Sequence, residues 1–163
     1  MGLDNMVYLI TKTPIHTDLM PWGYGEGNTW WFSMDCRENR STGEPEYWYC
    51  IAYWRKCWGI RNDILEVLTD NGYCAEDNVN DYFTGDIRFL KLIEGINRKY
   101  INPDNWDDQT CYVWSWEEYV HSLVDNSIAM LWAEKLIKAW CNGDIEEFEG
   151  IQPSFKFRFV DSY

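Results

Sequence analysis

The chain has 163 residues, 46% of them hydrophobic, enough for one domain with a substantial core. A formal charge of −13, from 27 acids against 14 bases, argues against direct binding to a nucleic-acid backbone, which needs clustered Lys and Arg to release counterions. No apolar run reaches membrane-spanning length, no C-x-x-C pair accompanies the six cysteines, and two histidines leave little for a zinc site.

The elements follow in chain order. Met6 to Thr11 reads as a first strand. Pro14, Pro21 and the stretch Trp22-Gly23-Tyr24-Gly25-Glu26-Gly27-Asn28 read as a long loop, and Thr29 to Met34 as a second strand. Arg37 to Pro45 is polar and turn-rich, and Glu46 to Ala52 reads as a third strand. From Tyr53 the period changes. Tyr53, Cys57, Ile60, Ile64, Val67 and Leu68 recur at helical steps, with Arg55, Lys56, Arg61, Asn62, Asp63 and Glu66 on the other face. Asn71-Gly72 is the expected stop. Gly59 lies inside this pattern, at up to about 1 kcal/mol relative to Ala.

A second helix is predicted from about Thr84 to Asp86 onward, with Ile87, Leu90, Ile93, Ile96 and Tyr100 buried and Pro103 as its end. Asn102 to Gln109 is an acidic loop around Trp106, and Thr110 to Trp114 reads as a strand. Ser115 and Glu118 then form a capping box. The helix it opens carries Tyr119, Leu123, Val124, Ile128, Leu131 and Trp132 on one side and runs toward Trp140, with Asn142-Gly143 as its stop. Asp125-Asn126-Ser127 leaves open whether this is one helix or two. Asp144 to Gly150 is an acidic loop. In Ser154 to Val160, Phe155, Phe157 and Phe159 alternate with Lys156 and Arg158, which predicts a half-buried strand with a basic outer face. The whole predicts a single α+β domain over residues 1–163, with an antiparallel or mixed sheet of about five strands packed against about three helices.

The stretch Met1-Gly2-Leu3-Asp4-Asn5 has no basic region followed by an apolar core, so no signal peptide is expected. Cys36, Cys50, Cys57, Cys74, Cys111 and Cys141 are then expected as reduced thiols packed like small apolar groups. The 11 Trp, 11 Tyr and 7 Phe are equally able to fill a core, face a ligand or cover a dimer interface. No nucleophile elbow is present, neither His16 nor His121 has an evident Ser or Cys partner in local sequence, and two histidines give little from which to build a metal cluster. No catalytic residue, metal or cofactor is therefore expected. Gly23, Gly25 and Gly27 lack the Lys-Ser/Thr of a phosphate loop, so they read as a flexible hairpin or loop, one able to act as a mobile lid with Trp22 and Tyr24 as contacts.

Two constellations remain. Tyr53-Trp54-Arg55-Lys56 sets two aromatics beside two cations at an expected helix start, able to stack on a flat ligand and pair with its phosphate, with Asp4 as an acceptor. Equally, Arg55 pairs with Asp4 and locks the helix to the sheet. The second constellation is acidic: Asp104, Asp107 and Asp108, and Asp144, Glu146, Glu147 and Glu149, with Glu76, Asp77 and Asp81. These carboxylates suit a basic partner surface, in the manner of a nucleic-acid mimic.

The opening Met1-Gly2-Leu3-Asp4, the motif Tyr53-Trp54-Arg55-Lys56 with Ile60 beyond, and the ending Phe155 to Phe159 with Ser162-Tyr163 resemble a group of uncharacterised phage and prophage proteins. Asn5, Cys57-Trp58-Gly59 and Arg61 depart from that pattern. The resemblance implies a phage genome, a host bacterial cytoplasm and a small accessory gene product, a class that frequently counters host defence. The leading expectation is a binding inhibitor of a defence protein such as a CRISPR or restriction effector. The alternatives are a binder that sequesters a nucleotide signal through Asp4, Trp22, Tyr24, Tyr53, Trp54, Arg55 and Lys56, and a small enzyme.

Overall fold

Val7 and Leu9 alternate with Met6 and Tyr8, which makes β1 (Asp4–Thr11) a two-faced strand. The computed structural model describes residues 4–15, 34–72, 81–84, 87–105, 116–142 and 155–162. After β1 come β2 (Met34–Glu38), β3 (Pro45–Arg55), α1 (Trp58–Asp70), β4 (Asp81–Thr84), α2 (Ile87–Ile101), a 3-10 turn at Pro103–Asn105, α3 (Trp116–Cys141) and β5 (Phe155–Ser162). The sheet order is β2-β3-β1-β5-β4, and every pairing is antiparallel. The class is α+β, antiparallel rather than mixed. One core cluster joins Val7, Leu9, Tyr49, Trp54, Phe157 and Phe159 of the sheet to Ile60, Ile64, Leu90, Ile93, Leu123 and Met130 of the helices.

The membership of the sheet differs from the sequence reading. β2 occupies Met34–Glu38 rather than 29–34, of which only Met34 is described. Asp81–Thr84, not anticipated as a strand, pairs with β5 at the sheet edge. The expected strand 110–114 and the capping Ser115 lie outside the described residues. β2 and β3 are joined by a turn in which Asn39 N–H donates to the Glu44 carbonyl at 2.8 Å and Gly43 N–H to the Asn39 carbonyl at 2.7 Å. Gly43 takes φ +72 there, which a side chain would strain.

β3 is longer than the sequence suggests, and it absorbs the residues expected to begin a helix. Val7 pairs with Ala52 and Tyr8 with Cys50, so Ile51 is an extra residue, a β-bulge. The bulge resets the alternation. Tyr49 before it and Ala52 and Trp54 after it all share the core face of β1, opposite Leu9, Val7 and Asn5. Trp54 therefore points inward and is 0% exposed. Lys56 turns the chain at φ +53, and α1 starts only at Trp58, with buried Cys57 at its N-cap and no side-chain capping bond. The helix start expected at Tyr53 is thus corrected to a strand end. Gly59 falls in the first turn of α1, and the helix ends as expected, with Gly72 at φ +69.

α3 is one helix of 26 residues; Asp125-Asn126-Ser127 does not interrupt it. Its buried side is Tyr119, Leu123, Asn126, Ser127, Met130, Ala133 and Ile137. Val124, Ile128 and Leu131, expected on that side, are 38%, 42% and 48% exposed. Arg61, expected on the polar face of α1, is buried instead. Cys50 and Cys57 pack in the core as expected, whereas Cys36 and Cys141 are exposed.

Candidate functional site

The Tyr53 to Lys56 group holds the fold together. Among the described residues, β2 pairs with β3 only as far as Tyr49. Beyond Tyr49, α3 supplies side-chain partners to the β3 backbone. Tyr53 N–H donates to Oδ1 of Asn126 at 3.1 Å, and Nδ2 of Asn126 donates to the Tyr53 carbonyl at 3.0 Å. Arg55 N–H donates to the Tyr119 hydroxyl at 3.0 Å. One side-chain amide thereby supplies the donor and acceptor that a neighbouring strand would give. Inside, Nε1 of Trp54 donates to Oδ1 of Asn97 at 2.9 Å, and Nδ2 of Asn97 donates to the Leu123 carbonyl at 2.7 Å and to Ser127 Oγ at 2.8 Å. Trp54 has no face left for a ligand.

At the end of the pairing, Asp4 lies across from Arg55. Burial, and after it the Asp4 carboxylate, which also hydrogen-bonds the ring hydroxyl, pushes Tyr53 up to about 12. Arg55 is exposed, and Lys56 is half-buried at the turn. A second buried cluster lies near this corner. Arg61 makes a bidentate pair with Asp161, Nε to Oδ1 at 2.9 Å and the terminal nitrogen to Oδ2 at 2.7 Å, and Asn5 donates to the same carboxylate at 2.6 Å. This ties α1 to β5 and β1, with the Asp161 carboxylate held by both Arg61 and Asn5.

Of the acidic candidates, Asp104 is exposed on the 3-10 turn, its N–H bonded to Oδ1 of Asn102 at 3.0 Å. Asp81 lies on β4. Asp107, Asp108, Asp144, Glu146, Glu147, Glu149, Glu76 and Asp77 lie outside the described residues, as do Trp22 and Tyr24. Charge is divided unevenly along the chain. Sixteen acids and all fourteen bases fall on described residues; the other eleven acids, with no base among them, fall on the stretches between. The described elements are thus nearly neutral, and the acid excess belongs to the connecting sequence.

The outer face of the sheet carries a feature that none of the sequence candidates named. Trp48 of β3, Tyr8 of β1, Arg37 of β2 and Arg158 of β5 converge there. The guanidinium carbon of Arg37 is 4.3 Å from the Trp48 ring centroid and that of Arg158 is 4.9 Å, while Tyr8 meets Trp48 edge-on at 5.4 Å. Register explains the meeting. Ile10 of β1 pairs with both Trp48 and Lys156, so Trp48 and β5 flank the same central strand. Arg158 is long enough to reach across it. Asp35 accepts from Nε of Arg37 at 2.7 Å, and Glu46 pairs with Lys156 at 3.1 Å.

Trp48 borders a half-open concavity of about 440 Å³, lined also by Arg37, Arg40, Lys156 and Arg158 and, against those four cations, by the carboxylates of Glu38 and Glu46. Burial pushes the Tyr8 hydroxyl above its ordinary value, with the Arg37 and Arg158 charges opposing the shift. Nε1 of Trp48 is buried with no acceptor among the described residues, a cost of about 1–3 kcal/mol that a core usually avoids. The alternation of Lys156 and Arg158 was legible in the sequence. The convergence of Arg158 with Arg37 on one tryptophan was not, because it depends on strand order.

Among the described residues there is no group of three or more His, Cys, Asp or Glu able to hold a metal ion, and no helix long and apolar enough to cross a membrane. Comparison with protein-family models, with curated proteins and with solved structures returns no match.

Proposed function

We propose that the protein is a non-catalytic, phage-encoded accessory protein. In the host bacterial cytoplasm it inhibits a defence system by occupying the basic, nucleic-acid-binding groove of a host protein such as a CRISPR or restriction effector. The observation that carries this reading is the division of charge: eleven acids and no base on the stretches between nearly neutral elements. Carboxylates without interspersed cations present one sign of potential to a basic groove, which steers association and excludes acidic partners. The residues that would make the contact are Asp104, Asp107, Asp108, Asp144, Glu146, Glu147 and Glu149.

The test is affinity capture from host lysate at low and at high salt. The expected result is a nucleic-acid-handling protein retained at low salt and released at high salt, because contacts between exposed charges weaken once the Debye length falls toward about 3 Å. A variant combining Asp107→Asn, Asp108→Asn, Glu146→Gln and Glu147→Gln should lose that protein. Retention that ignores both salt and these substitutions would sink the reading. The nucleotide-sequestering alternative draws support from the concavity beside Trp48, since Trp54 is fully buried and Trp22 and Tyr24 lie outside the described residues.

A further inference from the structure

We propose that the concavity beside Trp48 is a binding site for a small phosphorylated planar ligand of the mononucleotide class, held by Arg37, Arg40, Lys156 and Arg158. The site is independent of the acidic contact surface. Three features lead to it. First, cations are concentrated locally: four bases and two carboxylates line one space, whereas the described residues together carry sixteen acids and fourteen bases.

Second, the guanidiniums are ordered in advance. Arg37 and Arg158 both lie against the Trp48 ring, and Asp35 fixes Nε of Arg37. Less side-chain freedom remains to be lost on binding. The Arg37 side chain is still 44% exposed, so the guanidinium that lies over the indole also meets solvent. A nucleobase can stack there, and the Arg37 donors not taken by Asp35 suit a phosphate in a charge-assisted, two-pronged contact.

Third, the size and field select a single nucleotide over a polymer. A space of about 440 Å³ falls within the range of small-molecule sites, roughly 300–1,000 Å³. At physiological ionic strength the Debye length is about 8 Å, so a phosphate in this space responds to the charges that line it, four cations against two carboxylates. A polynucleotide would carry its further phosphates over the rest of a chain of charge −13.

Calorimetric titration of the purified full chain tests this, with AMP, GMP, CMP and UMP as probes and adenosine, inorganic phosphate and a twelve-residue oligothymidylate for comparison. At least one mononucleotide should bind with a Kd of about 1 mM or tighter. Adenosine and inorganic phosphate should each bind at least tenfold more weakly than that mononucleotide, since each lacks half of the recognised chemistry. Arg37→Gln and Arg158→Gln should each weaken it about tenfold, while Arg55→Gln, at the strand end remote from this space, leaves it unchanged. Far-UV circular dichroism shows that each variant is folded, and Arg37→Gln, at an exposed position, carries the test if Arg158→Gln does not fold. The proposal is overturned by the absence of heat with all four mononucleotides on folded protein. Tighter binding of the oligothymidylate, or a loss caused by Arg55→Gln and not by Arg37→Gln, overturns it equally.

Discussion

Removing the side-chain amide of Asn126 takes one donor and one acceptor from the backbone of Tyr53. Each backbone group left without a partner inside the protein costs about 1–3 kcal/mol, so Asn126→Ala is expected to destabilise the fold by about 2–5 kcal/mol. Urea unfolding followed by circular dichroism measures this; a change under about 0.5 kcal/mol would mean that water replaces the amide. Two other residues set an alkaline limit. Burial pushes the Cys50 thiol from 9.0 up to about 12, and Tyr53 rises from 10.0 to about 12. Both groups hold their protons more tightly in the folded chain. Above its ordinary value each loses its proton first in the unfolded chain, which favours unfolding. Their contribution is fully present below pH 9 and is lost as pH rises toward 12. The urea midpoint should therefore be level between about pH 7 and 9 and fall beyond, and Cys50→Ala should delay the onset of the fall toward pH 10, where Tyr53 begins. A midpoint that stays level to pH 11 contradicts this account.

At the scale of elements, α3 shows where periodicity stops deciding. Val124, Ile128 and Leu131 make a helical stripe, and so do Leu123, Met130 and Ile137 one position over. A helix apolar on most sides gives no phase from hydrophobicity alone. The phase that wins carries Asn126 and Ser127 inward, where they meet the backbone of Tyr53 and the amide of Asn97. A buried Asn and Ser therefore mark the true inner face. Met130→Ala should cost about 2–5 kcal/mol through the cavity it leaves, whereas Leu131→Gln on the exposed stripe should stay within about 0.5 kcal/mol. Equal losses, read from denaturant midpoints, would reverse the assignment of faces. β3 teaches a related lesson. The aromatic run 47–54 was legible as strand up to Ala52, but the bulge at Ile51 that carries the strand on and turns Trp54 inward leaves no local mark.

For the whole molecule, Arg61 and Asp161 join the helical layer to β5 across 100 positions of sequence. Arg61→Leu leaves the Asp161 carboxylate buried beside Asn5 alone and should destabilise by about 3–5 kcal/mol, with much of the loss recovered in the Arg61→Leu, Asp161→Leu double variant. Thermal unfolding of the three proteins checks this, and a double variant no more stable than the single one would contradict it.

What the sequence determined by itself is what short-range physics determines. The two-residue and three-to-four-residue periods marked most of the elements, Asn71-Gly72 and Pro103 marked ends, and composition set the net charge and the class. The basic outer face of β5 was readable in the same way. Only the tertiary structure decided that Tyr53 to Lys56 is a strand end, that Arg61 is buried, and that Arg37, Trp48 and Arg158 meet. Each of these depends on a partner distant in sequence. Strand order, a one-residue bulge and the choice between two apolar faces of α3 follow from which long-range contacts satisfy the most buried backbone and charge, and no local pattern carries that information.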